Sequence, residues 1–314
     1  MEILSKSIAD YKVAILMTTY NAEIYLEEQL QSIVEQSHKK WILCVSDDGS
    51  KDNTLDILLS FRKLYGEERV HLFSGPKNGF AQNFLSLICN QEIQADFFAY
   101  CDQDDIWDQN KLEVALNALC NEEKNIPSVY GARTKLVDKD NRFLGYSSLF
   151  TKKPSISNAL VQSMAGGNTM VINNSTRQLL LRCGIVPVIS HDWWTYLVVA
   201  ACDGVMIYDE IPHIRYRQHS QNLVGSNSGI NKKITRLRQL LNGEFSKWID
   251  QNLKALETLN DIIAVDKIKI IDDFKIARKS CFFVRLLAMY NTGVYRQNYL
   301  GNIGIFIGFI LRKI

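Results

Sequence analysis

The chain has no closely spaced cysteines, no long hydrophobic run and no excess of charge of one sign. Its seven cysteines stand singly among 314 residues, and with no CxxC pair and an odd total they predict neither a disulfide framework nor a zinc site. They instead indicate reduced thiols in a cytoplasmic protein. The formal net charge of +2 is too small to indicate a nucleic-acid partner.

Motifs of membrane insertion and of two common nucleotide-binding folds are also missing. The apolar stretch 303–311 is too short to span a bilayer, and no basic region followed by an apolar core stands at the amino terminus, so we expect neither a transmembrane helix nor a signal peptide. There is no GxGxxG after the first apolar run and no GxxxxGK(S/T) anywhere. A Rossmann dinucleotide enzyme and a P-loop nucleotidase therefore lose their main sequence support.

Short apolar runs alternate with amphipathic ones through the first half of the chain. The expected strands are 13–18, 41–45, 70–73 and 97–101, and the expected helices between them are 24–34, 55–64 and 81–88. This alternation predicts an α/β fold with a mostly parallel, Rossmann-like central sheet flanked by helices. Ligands of such folds bind at the carboxyl ends of the strands.

The second half has a looser pattern. Further strands are expected at 129–137, 170–172, 205–208 and 213–218, with a helix that begins at His191 or Asp192. A linker at 227–229 is followed by two long helical stretches, 232–263 and 266–290. We therefore predict a catalytic domain at 1–225 and a helical carboxyl-terminal extension at 226–314.

Polar residues follow each of the first four predicted strands. They are Thr18, Tyr20 and Asn21 after the first, Asp47 and Asp48 after the second, Asn78 after the third, and Asp102, Gln103, Asp104 and Asp105 after the fourth. Each turn alone needs only its own backbone chemistry. Because parallel strands end at one edge of a sheet, the four turns together predict a polar rim able to bind a nucleotide diphosphate.

The run Cys101-Asp102-Gln103-Asp104-Asp105 places three carboxylates within four residues. Carboxylates this close repel one another unless a cation or several hydrogen-bond donors hold them, and oxygen ligands suit Mg²⁺ and Mn²⁺. The alternative is a solvated turn whose last carboxylate caps the next helix. We expect Asp105 to be that cap.

Six motifs in order resemble those of inverting glycosyltransferases of family 2, which have the GT-A fold. They are Thr-Tyr-Asn after the first strand, Asp-Asp-Gly-Ser-x-Asp after the second, Asn-Gly at 78–79, Cys-Asp-Gln-Asp-Asp-Ile-Trp at 101–107, His-Asp-Trp-Trp at 191–194 and Tyr-Arg-Gln-His-x-x-Asn at 216–222. The last two are similar to bacterial rhamnosyltransferases of the RgpB type. The resemblance covers 13–224.

This resemblance implies roles for individual residues. Those implied for the donor nucleotide are Thr18, Tyr20, Asn21, Asp47, Asp48, Asn78, Asp102 and Gln103. Asp104 and His219 are implied ligands of Mn²⁺ or Mg²⁺, Arg215 and Arg217 contacts of the diphosphate, and Asp192 the catalytic base. Those implied for the acceptor are Gly167, Asn168, His191, Trp193 and Trp194.

Several of these residues have simpler interpretations. Asp192 suits a helix N-cap, and Trp193 and Trp194 suit a hydrophobic core. Many family 2 enzymes carry an acid where this chain has His191, which leaves that histidine open as a supporting group or as a competing base.

The implied reaction is transfer of L-rhamnose from dTDP-β-L-rhamnose to a saccharide or lipid-linked saccharide acceptor of a bacterial surface polysaccharide, such as an O-antigen. A UDP-hexose donor is the alternative within the class. A metal-dependent phosphohydrolase and a non-catalytic nucleotide-sugar binding module are alternatives outside it. Basic and aromatic residues in 226–314 suit peripheral contact with the inner face of the cell membrane, whereas packing on the catalytic core or on a second subunit remains open.

Overall fold

The fold is built on a central sheet of seven strands. The computed structural model describes residues 6–219 and 242–314. The strands of the central sheet are β1 Val13–Thr19, β2 Trp41–Asp47, β3 Val70–Ser74, β4 Phe97–Cys101, β6 Ser128–Ala132, β9 Val171–Asn173 and β10 Val205–Asp209. Their order is β10-β6-β9-β4-β1-β2-β3, and only β9 runs antiparallel to its neighbours. The predicted mostly parallel sheet is confirmed.

Helices cover both faces of this sheet. In the catalytic part they are α1 Leu26–Val34, α2 Thr54–Tyr65, α3 Phe80–Ile88, α4 Lys111–Cys120, α5 Ile156–Ala159, α6 Asn174–Cys183 and α7 His191–Ala201. Residues 13–17 of β1 are fully buried, with Ala14 and Leu16 facing one apolar cluster and Val13, Ile15 and Met17 facing the other. Burial on two faces explains why the strands are continuous apolar runs.

A second sheet of four short strands stands beside the first. It consists of β5 Ile106–Trp107, β11 Ile214–Arg217, β7 Lys135–Val137 and β8 Phe143–Tyr146, in that order. The single strand predicted at 129–137 is wrong, because the chain leaves the central sheet at Arg133 and joins this one at Lys135. Since β11 lies between β5 and β7, it carries the chain that follows it to the loop after β4.

The carboxyl-terminal region is helical, as expected, but its helices are shorter. They are α8 Glu244–Leu256, α9 Val265–Lys279, α10 Phe282–Thr292 and α11 Tyr299–Ile310. The predicted helix 266–290 is interrupted because Ser280 and Cys281 are extended, with ψ angles of 170° and 167°. The linker 227–229, the domain boundary at 225 and the start of the predicted helix 232–263 lie outside the described residues. Within the described ranges no helix is long and apolar enough to cross a bilayer.

Candidate active site

The loops after β1 and β2 are joined through the buried carboxylate of Asp47. Its Oδ1 accepts hydrogen bonds from the backbone N–H groups of Gly49 and Ser50, at 3.0 and 2.8 Å. Its Oδ2 accepts hydrogen bonds from the hydroxyls of Thr19 and Ser50. These four hydrogen bonds occupy the acceptor positions of both carboxylate oxygens. Asp47 therefore shapes the loop, which argues against the predicted direct contact between this carboxylate and the nucleotide.

Two amide side chains hold the neighbouring loops in register. Gln103 accepts a hydrogen bond from the backbone N–H of Tyr20 at 2.7 Å and donates one to its carbonyl at 3.2 Å. Asn21, at a φ of 49°, accepts a hydrogen bond from the N–H of Lys51 at 2.9 Å. Both residues lie on the rim as predicted, and they connect the turns after β1, β2 and β4.

The other predicted nucleotide residues differ in exposure. Thr18 is buried at the end of β1, and Asp48 accepts a hydrogen bond from the backbone N–H of Lys77 at 2.6 Å. The ring of Tyr20 is 55% exposed, and Asn78 is exposed at the start of α3. Tyr20 and Asn78 are therefore the members of this set that present their side chains to solvent.

Asp104 and His219 meet although 115 residues separate them. The Nε2 of His219 lies 2.8 Å from Oδ2 of Asp104, and their side chains are only 10% and 16% exposed, in that order. Strand β11 ends at Arg217 beside β5, which places His219 over the loop after β4. The ring of Tyr25 packs on the imidazole at 4.8 Å. The predicted proximity of these two residues is observed.

This pair has the chemistry and spacing of two neighbouring metal ligands. Adjacent ligands of an octahedral ion with bonds of about 2.1 Å lie about 3 Å apart, close to the separation seen here. A carboxylate oxygen and an imidazole nitrogen both suit Mn²⁺. Within residues 6–219 and 242–314 no group of three or more such side chains is arranged around one point. Asp104 and His219 would thus supply part of a coordination shell and leave positions for diphosphate oxygens.

The site around Asp102 carries excess negative charge. Burial, reinforced by the charges of Asp104 and Asp192, raises the pKa of Asp102 to about 8, although Lys111 opposes the shift. A carboxylate pKa raised by burial and by neighbouring carboxylates means that the ionised form is both poorly solvated and insufficiently compensated by positive charge. The rim therefore favours a cationic ligand.

Asp192 lies in the first turn of α7, facing this acidic rim. The N-cap position is Ser190, so the N-cap interpretation of Asp192 is wrong. The Oδ1 of Asp192 accepts a hydrogen bond from the backbone N–H of Trp193 at 2.8 Å, and the Asp192 side chain is partly exposed. Helix α7 is attached to β4 by the hydroxyls of Thr195 and Tyr100, 3.1 Å apart. Asp192 is thus held near the end of β4 with a carboxylate accessible to a ligand.

His191 points into the protein and away from any acceptor. It is 3% exposed, stacks on Phe84 at 3.8 Å and contacts Tyr100 edge-on. A Cβ on Gly167 would lie 2.2 Å from its Nε2, so this position requires glycine. Neither ring nitrogen has a hydrogen-bond partner among the described residues. The predicted direct acceptor contact of His191 is wrong, and an enclosed ring is poorly placed to act as the competing base.

Burial of His191 predicts a pH-dependent stability. Desolvation lowers the pKa of His191 to about 4, although Asp192 opposes the shift. Since unfolded histidine titrates near 6.5, the unfolded state gains the proton first, and stability is lost as pH falls from about 6.5 to 4. The loss amounts to about 3 kcal/mol. Urea unfolding at several pH values should show a weaker acid dependence for His191→Leu than for the wild type, and parallel curves would contradict this account.

Trp193 and Trp194 belong to the core. Trp194 is fully buried, whereas Trp193 is 6% exposed, donates its indole N–H to the carbonyl of Ala159 and stacks on Phe245. The predicted acceptor contact of these two side chains is wrong, and the core alternative is confirmed. Helix α7 is enclosed by α3, α5 and α6, which leaves few solvent-facing positions on it.

A buried hydrogen-bond network next to the Asp104–His219 pair was not predicted from the sequence. Asp105 is fully buried and caps no helix, because α4 begins at Lys111. Its Oδ2 accepts a hydrogen bond from the amide of Asn168 at 2.7 Å, and its Oδ1 one from the N–H of Arg217 at 3.2 Å. Burial and the nearby charges of Asp104 and Asp102 raise the pKa of Asp105 well above its usual range. Asn168 therefore supports the rim, in place of the predicted acceptor contact.

Arg217 completes this network. Its guanidinium donates to the carbonyls of Asp104 and Lys139, at 3.0 and 2.8 Å, and pairs with Glu28. The side chain is 1% exposed, so the predicted diphosphate contact is wrong. Arg215 faces Asp108 at 3.5 Å beside a pocket lined by Glu28 and Glu35, and its predicted diphosphate contact stays a prediction.

Arg217→Met is expected to lower the free energy of unfolding by about 3 kcal/mol, because it leaves the carbonyls of Asp104 and Lys139 and the carboxylate of Glu28 without their guanidinium donor. Arg215→Met is a matched control on the same strand. Its ion pair with Asp108 is about one third exposed, and its loss should cost less than about 1 kcal/mol. Urea denaturation followed by tryptophan fluorescence measures both variants. Equal losses of unfolding free energy in the two variants would show that the buried network stabilises the protein no more than an exposed ion pair does.

Comparison with known proteins identifies the family. The chain matches the family described as glycosyl transferase family 2 over residues 14–180, just over half of its length. The chain belongs to glycosyl transferase family 2. This matched segment contains the rim, the Asp102–Asp104 run, Gly167 and Asn168, while Asp192 and His219 follow it.

Individual relatives of this glycosyltransferase agree with that assignment. It is 31% identical to dTDP-rhamnosyl transferase RfbG of Shigella flexneri over 254 residues, which cover 76% of this chain and 84% of that protein. It is 35% identical over 126 residues to UDP-Glc:alpha-D-GlcNAc-diphosphoundecaprenol beta-1,3-glucosyltransferase WfgD of Escherichia coli, covering 39% of this chain and 46% of that protein.

Solved structures confirm the predicted GT-A fold. Crystal structures of S. aureus TarS in complex with UDP and with UDP-GlcNAc superpose on this glycosyltransferase with TM-scores of 0.53 and 0.54. The two alignments cover 87% and 90% of this chain, and 77% and 93% of those chains. Identity is 15% in both, so the likeness concerns the fold alone.

Proposed function

We propose that this family 2 glycosyltransferase transfers L-rhamnose from dTDP-β-L-rhamnose to a saccharide or lipid-linked saccharide acceptor of a bacterial surface polysaccharide. The donor assignment is supported by the similarity to RfbG, which extends over 76% of the chain, against 39% for WfgD. Seven unpaired thiols support a cytoplasmic site of reaction.

The observation that carries the catalytic proposal is the convergence of the Asp104–His219 pair with Asp102 and Asp192. Asp104 and His219 would hold Mn²⁺ or Mg²⁺, which neutralises charge on the leaving diphosphate when bound. Asp192 would accept the proton of the attacking acceptor hydroxyl, since its carboxylate is accessible beside Asp102. Attack opposite the diphosphate inverts the anomeric centre, and a diphosphate leaves without a protein acid.

The remaining rim residues would position the nucleotide. We assign direct contacts to Tyr20 and Asn78, whose side chains face solvent, and a supporting role to Asp47, Asn21 and Gln103, whose polar atoms tie the loops together. Gly167 would contribute only its backbone to the acceptor side, because its Cα faces His191.

Donor comparison tests the proposal. The purified protein is incubated with Mn²⁺, a rhamnose-containing acceptor and, in separate reactions, dTDP-β-L-rhamnose, UDP-glucose or UDP-GlcNAc, and nucleotide diphosphate release is measured. We expect kcat/KM to be highest for the rhamnose donor, with release dependent on the acceptor. Preference for a UDP-sugar would contradict the donor assignment, and release that ignores the acceptor would indicate hydrolysis instead of transfer.

A further inference from the structure

Helices α10 and α11 expose large apolar side chains. Phe283 and Tyr290 are each 82% exposed and Leu287 is 64% exposed. Because these positions follow the spacing i, i+4, i+7, they lie on one face of α10. On α11 the exposed apolar residues are Tyr299, Leu300, Ile303, Phe306, Ile307 and Ile310. We call these exposed residues of the two helices the apolar face.

The opposite sides of both helices are firmly packed. Arg285 is 2% exposed and donates hydrogen bonds to the carbonyls of Phe309 and Ser280, at 2.9 and 2.6 Å. Phe309 is fully buried against Phe274, and Ile305 is also buried. The helices are therefore docked on the protein with a defined orientation, and the apolar face is the side that docking leaves exposed.

The sequence that carries the apolar face is basic. Residues 274–314 contain seven lysines and arginines and no aspartate or glutamate, although the whole chain has a net charge of only +2. Exposed Lys279 ends α9, three residues before α10 begins, and exposed Arg312 lies two residues after the end of α11. A broad apolar surface flanked by exposed basic residues complements an anionic lipid surface.

We propose that the apolar face binds an anionic phospholipid bilayer, with α10 and α11 lying in its interface. Neither helix is long enough to span a bilayer, so both would insert only one side. A second copy of the chain is the competing occupant. Its association through this face would bring together two segments of like charge, whereas anionic headgroups attract both Lys279 and Arg312.

The apolar face has a fixed position relative to the acceptor side of the active site. The hydroxyls of Tyr295 and Ser155 are 3.0 Å apart, and Asn158 donates to the carbonyl of Tyr295 at 2.9 Å. The N–H of Gln297 donates to the side chain of Gln162 at 2.9 Å. These contacts attach the connection between α10 and α11 to the segment that leads to Gly167. This inference rests on the proposed function in one respect, since the same bilayer would present a lipid-linked acceptor.

Vesicle flotation of the full chain tests the proposal. Vesicles of phosphatidylglycerol and phosphatidylcholine are compared with vesicles of phosphatidylcholine alone, without nucleotide sugar. We expect binding to the anionic vesicles and about tenfold weaker binding to the neutral ones. The double variant Phe283→Ser, Tyr290→Ser should lose about tenfold in partitioning. Leu64→Ser, at a 75% exposed position on α2, is the matched control and should bind as the wild type does.

Two results would overturn the proposal. One is equal binding to anionic and neutral vesicles, or the absence of binding to either. The other is a dimer in sedimentation velocity that Phe283→Ser dissociates while vesicle binding is absent, which would assign the face to a second copy. Circular dichroism establishes that each variant is folded. Because flotation is carried out without nucleotide sugar, its result does not depend on whether dTDP-β-L-rhamnose is the donor. Transfer to a water-soluble acceptor tests the donor independently of membrane binding.

Discussion

Asp192→Asn is expected to lower kcat by about 10³-fold and to leave the dissociation constant of the donor nucleotide unchanged. The substitution keeps the size of the side chain and its hydrogen bond from the N–H of Trp193, but an amide cannot accept the proton of the acceptor hydroxyl. Initial rates of diphosphate release and calorimetric titration with dTDP separate the two effects.

Asp203→Asn is a suitable control, because Asp203 follows the other end of α7 and faces Lys267 at 3.4 Å. Its kcat should match that of the wild type. If Asp192→Asn retained full transfer activity, Asp192 would not be the base. A phosphohydrolase would behave differently, since its water-only hydrolysis would survive Asp192→Asn.

Asp104→Asn and His219→Ala are each expected to lower kcat/KM by about 100-fold and to raise the Mn²⁺ concentration needed for half-maximal activity by at least about tenfold. The two side chains are 2.8 Å apart, so they would lose the same ion. The double variant should therefore be little worse than either single variant, as residues that act as a unit are not additive. Activity measured across a Mn²⁺ titration gives kcat/KM and the half-maximal Mn²⁺ concentration for the two single variants and for the double variant.

Asp108→Asn provides the control for this pair. Asp108 lies four residues after Asp104 but faces Arg215, and its loss should leave the Mn²⁺ dependence unchanged. Additive losses from Asp104→Asn and His219→Ala would mean that the two residues act independently. Unchanged Mn²⁺ dependence in both single variants would remove them as ligands.

The rim was predictable from sequence because strand ends are local features. Apolar runs followed by Asn, Asp and Gly place Tyr20, Asp48 and Asn78 at one edge of a parallel sheet without any knowledge of tertiary contacts. The meeting of Asp104 with His219 was also anticipated, but by resemblance to a family and not by periodicity. Nothing in the intervening 115 residues shows that β11 would pair with β5.

The buried network could not be predicted because burial of a charged residue depends on distant partners. Asp105 and Arg217 stand in polar motifs, where a turn and a phosphate contact are the usual expectations, yet both are buried. Asn168 and the backbone N–H of Arg217 bond the Asp105 carboxylate, and the carbonyl of Asp104 is among the partners of the Arg217 guanidinium. The prediction for His191 was wrong for the same reason, since the packing of Phe84, Tyr100 and Gly167 encloses its ring. Local sequence gives the chemistry of a side chain but not its solvent exposure.

The contacts of Arg217 have a consequence for biosynthesis of the enzyme. Its partners Glu28, Asp104 and Lys139 are 189, 113 and 78 residues away along the chain. Contacts of such large sequence separation form late, after costly loop closure. During translation, a nascent chain that ends before β11 lacks both Arg217 and His219, the two residues that contact Asp104 from that end of the chain. Metal-dependent donor binding would thus require synthesis of the chain as far as His219.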